Sequence, residues 1–256
     1  MSACPVKTSL ERDGSLLHLR LARPKANIID AAMIEALQLA FDQSTDNPDL
    51  RAILLDAEGP NFSFGASVEE HLPDQCEKML KDLHQLVVCM LESPVPVLVA
   101  VQGQCLGGGL ELACSGSLLF ATADTSLGQP EIQLAVFAPA ASCLLPELIG
   151  RATACDLLLS GRSISGAEAK SLGLVSSLGD KPQELALEYF DQHLAAHSAS
   201  SLRLALRAAQ AGLAERVRAK LAIVERIYLD ELMATHDAVE GLQAFVEKRP
   251  ANWENR

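Results

Sequence analysis

The feature that most constrains this chain is a set of short, almost wholly apolar runs separated by segments of helical spacing. Ala52-Ile53-Leu54-Leu55 and Val97 to Val101 are the clearest; Ser15 to Leu21 and residues 117–122 are further strand candidates. A strand that is apolar at both parities of its pleat has to be covered on both faces. Between these runs the period changes. Asp30 is placed to cap a helix in which Met33, Ile34, Leu37 and Phe41 share a face, and Asn47-Pro48 ends it. Residues 74–92 put Met79, Leu83, Leu86, Val87 and Met90 on one side of a second helix. Short buried strands alternating with helices predict an α/β fold with a largely parallel sheet. From about residue 182 the pattern is helical throughout. Leu202, Leu206, Ala209 and Leu213 form one stripe, and Leu221, Val224, Ile227 and Tyr228 another. This last quarter reads as a helical appendage whose apolar faces bury against the sheet domain or another subunit.

Composition narrows the function. The chain has 256 residues, enough for one large domain with or without an appendage. Aromatic residues are only 4% of it, so the core is expected to be Leu, Val, Ile and Ala. A net charge of −12 argues against a nucleic-acid partner. The one basic cluster, Arg203, Arg207, Arg216, Arg218 and Lys220, reads as a solvated helix face. The seven cysteines are odd in number and form no C-x-x-C pair, which suits a reducing cytoplasm. Glu70-His71 stands outside any H-E-x-x-H motif, so no metal site is expected. Met1 to Pro5 lacks a basic-then-apolar signal, and Val95 to Val101 is too short to span a bilayer. A soluble cytoplasmic protein without a membrane partner is the expectation.

Three segments bear chemistry: Asn61 to Val68, Gln102 to Leu112 and Leu127 to Ile132. In the second, a buried strand runs into Gly107-Gly108-Gly109 and then an apolar helix. Glycine permits a sharp turn and close approach to the main chain, and the first amides of a helix are unpaired at the positive end of its dipole. Such a place can hold an oxyanion or a phosphate. A P-loop lacks its Gly-Lys-Ser/Thr here, and a G-x-G-x-x-G fingerprint fails at Leu112. Glycines serving close packing alone remain the plain alternative. Glu111 falls in the first turn of that helix and Glu131 follows Pro130. Either taken singly reads as a solvated carboxylate; two beside an oxyanion site suit general acid–base work.

In order and spacing, these segments resemble the motifs of the crotonase (enoyl-CoA hydratase) superfamily, a likeness running from about residue 8 to Phe245-Val246-Glu247-Lys248-Arg249. It implies a spiral of repeated ββα units forming two stacked sheets, in residues 1–195. It also implies a helical region, residues 196–256, that assembles trimers or hexamers of like chains. The substrate implied is an acyl-CoA thioester, with no separate cofactor. By this resemblance the amides of Ala66 and Gly108 form the oxyanion hole. Glu111 and Glu131 match the two catalytic glutamates of the hydratases, with Glu111 activating water and Glu131 handling the carbon-bound proton. Lys25, Ala26, Ile28, Ser67, Val68 and Glu69 match contacts to CoA. Phe245 and Lys248 match a tail pair that reaches a neighbouring subunit's CoA.

There are departures from the ordinary hydratase pattern. Ser67 replaces an aspartate, and Ala135 to Ser142, with Phe137, replaces a glycine-rich wall at the acyl end of the pocket. Ala26-Asn27-Ile28-Ile29-Asp30 also differs. Together these are most similar to the cyclic dienoyl-CoA hydratases of anaerobic aromatic degradation. Those enzymes convert cyclohexa-1,5-diene-1-carbonyl-CoA to 6-hydroxycyclohex-1-ene-1-carbonyl-CoA. Ordinary enoyl-CoA hydration, another acyl-CoA reaction on the same scaffold (isomerisation, decarboxylation or thioester hydrolysis) and an RNA-binding relative are the competing readings; the glutamate pair and the acidic balance tell against the last two.

Overall fold

In the computed structural model, residues 4–44 and 47–256 are described. Met1 to Ala3, part of the stretch read as lacking a signal peptide, lie outside the described residues. The strands are β1 (Val6–Glu11), β2 (Leu16–Leu21), β3 (Ala52–Ala57), β4 (Val97–Val101), β5 (Gln104–Leu106), β6 (Leu118–Ala121), β7 (Ser126–Gly128), β8 (Ser163–Ser165) and β9 (Ser177–Leu178). The helices are α1 (Ala31–Ser44), α2 (Pro73–Leu91), α3 (Gly108–Cys114), α4 (Pro139–Ile149), α5 (Arg151–Ser160), α6 (Gly166–Ser171), α7 (Pro182–His193), α8 (Ala199–Ala209), α9 (Leu213–Arg226) and α10 (His236–Val246).

Two sheets form. The larger runs β1-β2-β3-β4-β6-β9 and the smaller β5-β7-β8. Strands β2, β3, β4, β6 and β9 are parallel, as the apolar runs predict; β1 joins antiparallel through the turn at Arg12 to Gly14. Alternation within the strands separates two cores. Leu17, Leu19, Ile53, Leu55, Val97, Val99 and Val101 face the larger core, which contains residues of α1, α2, α3, α4 and α9. Leu16, Ala52, Leu54, Leu98, Ala100 and Phe120 face the other way, onto Ala186 and Phe190 of α7. Coverage of both faces explains why these strands are apolar on both sides of the pleat, apart from the paired His18, Arg20 and Asp56 of β2 and β3.

The helical tail is not a uniform appendage. Ala214, Val217, Leu221, Val224 and Tyr228 belong to the main core, and α9 packs on α2 and α4. Ile227, read as part of that stripe, is exposed, because Tyr228 takes the inward position in a π turn over Ile227–Glu231. In α8, by contrast, no residue is buried; Leu202 and Leu206 are half-covered and Ala209 is exposed. Members of the basic cluster meet partners remote in sequence. Arg203 donates to Asn47 O and Leu50 O, Arg216 pairs with Glu147, and Arg218 with Glu92. Among the described residues, no helix is long and apolar enough to cross a membrane.

Candidate functional site

Parallel register brings the three segments together. Ser63 bridges Cys105 in parallel, so Ala66 and Gly108, equally far beyond that bridge, run side by side. In the smaller sheet Leu106 pairs with Gly128, and Gly107 N–H donates to Gly128 O at 2.9 Å. The chain therefore leaves β7 beside the glycine turn and enters the 3₁₀ turn Pro130–Leu134, which carries Glu131. Segments remote in sequence end at one point because parallel strands all point their C-terminal ends the same way.

The glycines are there for contact. A Cβ on Gly108 would lie 2.9 Å from Ala66 Cβ and 3.0 Å from Ala66 N. Gly65 (φ +107°) and Gly107 (φ +50°) adopt the left-handed region, where a side chain is strained. A Cβ on Gly107 would meet Glu131 Oε1 at 2.5 Å. The amides of Ala66 and Gly108 are thus neighbours, and neither donates to an acceptor among the described residues. Gly108 opens α3, so its N–H lies at the helix end where intrahelical acceptors are absent.

Glu111, in the first turn of α3, is 3% exposed. The alternative of a solvated carboxylate at a helix start therefore fails. Its Oε1 accepts the Ala141 N–H at 2.8 Å, from the first turn of α4. Burial raises its pKa, while the amides of Ala141 and Ala140 and the nearby His84 oppose the rise. Glu131 lies within the field of Glu111. Burial, then the charge of Glu111, push it up to about 8. With its amide turned to satisfy both ends, buried Gln129 donates to both Glu131 oxygens at 3.1 and 3.2 Å. Two carboxyls beside the Ala66 and Gly108 amides have the chemistry of a general acid–base pair.

The segment after Glu131 closes one side of the site. Ala135 is left-handed (φ +55°), Val136 and Ala138 are buried, and the Phe137 ring meets Tyr228 edge-on at 5.1 Å and 70°. A cleft of about 580 Å³ lies at the surface between two loops. Lys25, Ala26, Ile28, Ser67 and Glu69 line it, five of the residues matched to CoA binding. Val68 is half-buried against the core and is not part of that lining. Phe245 (55% exposed) and Lys248 lie at the C-terminal end of the chain and are not among the residues lining this cleft.

Sequence reasoning missed the residues that fix these loops. Asn27 is fully buried; its side chain accepts from Arg23 N and donates to Glu58 O and Asn61 O. Ser63 Oγ donates to Asn27 O at 2.8 Å and accepts from Gly65 N at 3.1 Å. Asn27 is left-handed (φ +43°), which asparagine tolerates well among non-glycine residues. An Asn between two apolar residues was the available signal, and no local period distinguishes it from an ordinary turn residue.

Comparisons with known proteins agree with this geometry. Residues 11–256 match the Enoyl-CoA hydratase/isomerase family. A cyclohexa-1,5-dienecarbonyl-CoA hydratase of Thauera aromatica is 64% identical over 255 residues, covering 100% of this chain and 99% of its own length. Among solved structures, an enoyl-CoA hydratase/isomerase from Pseudoalteromonas atlantica T6c superposes with a TM-score of 0.83 at 27% identity, covering 97% of this chain and 99% of its own. An enoyl-CoA hydratase from Bacillus halodurans gives 0.86 at 20% identity, over 94% and 99%, and shares the fold. The shared register, the paired carboxyls and these likenesses lead to one assignment: the chain belongs to the enoyl-CoA hydratase/isomerase family, with the crotonase fold.

Proposed function

We propose that this protein is a hydro-lyase that adds water to cyclohexa-1,5-diene-1-carbonyl-CoA, giving 6-hydroxycyclohex-1-ene-1-carbonyl-CoA in the anaerobic degradation of aromatic compounds. The substrate reading is carried by the full-length 64% identity to the Thauera aromatica hydratase. It is supported by the acyl-end wall, where Phe137 rests on Tyr228 and no glycine occurs from Ala135 to Ser142.

In this reading the thioester oxygen sits between the amides of Ala66 and Gly108, which stabilise it as it gains charge. Each such donor contributes roughly 3–4 kcal/mol to lowering the barrier. Glu111, its anion supported by Ala141 N–H, takes a proton from water while the water oxygen bonds to the ring β-carbon. The displaced electron pair runs onto the thioester oxygen as a dienolate. The dienolate then takes the Glu131 proton at its far end, across the ring, and the carbonyl re-forms. Transfer of one proton from Glu111 to Glu131 restores the starting state, so one water is consumed and no cofactor is required. The cleft lined by Lys25, Ala26, Ile28, Ser67 and Glu69 takes the CoA moiety, with Val68 alongside. Phe245 and Lys248 act on a neighbouring subunit's CoA in a homo-trimer or hexamer assembled through the helical region 196–256. The free cysteines suit a cytoplasmic setting.

The test compares purified protein on the cyclic dienoyl-CoA and on crotonyl-CoA, with product mass recorded. Preferred turnover of the cyclic diene with a gain of one water is expected. Faster turnover of crotonyl-CoA rejects the cyclic substrate, and an unchanged or CoA-free product mass rejects hydration.

A further inference from the structure

Among the described residues, Tyr228 is the largest fully buried side chain, with 0% of its surface exposed. Its hydroxyl has no hydrogen-bond partner among the described residues. A buried hydroxyl left without a partner is costly, and phenylalanine would fill the same volume without that cost. The residue is also set in unusual backbone. Helix α9 passes into a π turn, Ile227–Glu231, of which Tyr228 is the second residue. Isolated π turns interrupt the α register and recur at functional sites. One edge contact joins its ring to Phe137, in the segment that follows Glu131. The phenol oxygen lies in the electrostatic field of Cys76, Glu131 and Glu111, and burial raises its pKa, so it stays protonated and able to donate.

We propose that Tyr228 is a further substrate-facing residue, whose hydroxyl donates a hydrogen bond to the oxygen being added: the attacking water, and then the ring hydroxyl of the product. A planar cyclic diene offers no polar group of its own apart from the thioester. The only oxygen the ring itself acquires is therefore the one that enters, and a neutral donor beside the two carboxyls holds it on one face of the ring. Phe137 fixes the phenol against sideways movement. The inference rests on the hydratase reading above and adds to it the group that orients water relative to the ring.

Tyr228→Phe removes the hydroxyl and keeps the ring. In the otherwise native enzyme, kcat on the cyclic diene falls about tenfold while KM stays unchanged, since that substrate carries no hydroxyl for the phenol to bind. A binding cycle isolates the contact. In a Glu131→Gln background that stops turnover, adding Tyr228→Phe weakens 6-hydroxycyclohex-1-ene-1-carbonyl-CoA about tenfold and leaves cyclohex-1-ene-1-carbonyl-CoA unaffected. Thermal melting should be unchanged or raised. Equal loss for both ligands, or loss for neither, overturns the proposal. Should the native enzyme hydrate crotonyl-CoA but ignore the cyclic diene, the substrate reading fails. The same cycle with 3-hydroxybutyryl-CoA and butyryl-CoA then decides Tyr228 by the same criterion.

Discussion

At the scale of residues, the two glutamates differ in what surrounds them rather than in type. Glu111 receives a helix-start amide, whereas Glu131 receives the Gln129 side chain and feels the charge of Glu111. Glu111→Gln and Glu131→Gln should each lower kcat roughly 100- to 10,000-fold, the usual worth of a proton-transfer group, while acyl-CoA still binds. Steady-state kinetics with calorimetric binding checks this; near-full activity in either variant removes its assigned role. Glu131 also predicts a pH dependence. Its pKa rises from 4.5 to about 8, so the folded chain binds this proton more tightly than the unfolded chain. The associated stability is fully present below pH 4.5 and is lost as pH rises towards 8. Glu131→Gln should therefore melt higher than the native protein at pH 8, with the gain shrinking as pH falls towards 5. In the proposed role of proton donor Glu131 must be protonated, so kcat/KM for the cyclic diene should fall as pH rises through about 8. A flat stability difference and a flat rate profile would contradict both assignments.

At the scale of elements, the site depends on backbone proximity. The contact between the Gly65-Ala66 turn and the start of α3 leaves no room for a Cβ at Gly108. Gly108→Ala should push the two amides apart and lower kcat by roughly 100- to 1,000-fold, the loss expected when one oxyanion donor is misplaced. Circular dichroism should remain native, because Gly108 is in helical conformation and only its neighbour must shift. Retained activity would show that the amides do not act as a pair. The same elements show how far local pattern reaches. Strands β2, β3, β4 and β6 and helices α1 and α2 are apolar at regular periods and were legible. Strand β1 has exposed residues from Lys7 to Leu10, and β5, β7, β8 and β9 are only two or three residues long. Elements that short span at most one and a half strand periods, too few to show a pattern; their partners create them.

At the scale of the whole molecule, one face of α9 is built into the core, while its other face, α8 and the tail expose apolar side chains. Leu204 is 57% exposed, Ile223 52% and Phe245 55%. Exposed apolar side chains in this part of the chain are what the proposed trimer or hexamer would cover. Light scattering on the purified protein should give the mass of three or six chains. A monomer mass would remove both the assembly and the placement of Phe245 and Lys248 at a neighbour's CoA.

What the sequence by itself determined is what depends on local period and on motif. It specified parallel strands buried on both faces, the glycine turn into α3, the helical tail, and the residues to watch: Ala66, Gly108, Glu111 and Glu131. Composition argued against a nucleic-acid partner, and the three motifs together pointed to the family. Only tertiary structure decided that Glu111 is buried under the amide of Ala141, that Asn27 and Ser63 lock the loops, and that Tyr228 turns inward with an unpaired hydroxyl. Each of those facts depends on groups far apart in the chain meeting at the ends of parallel strands. No one-dimensional pattern records such meetings, because the register that produces them is a property of the assembled sheets.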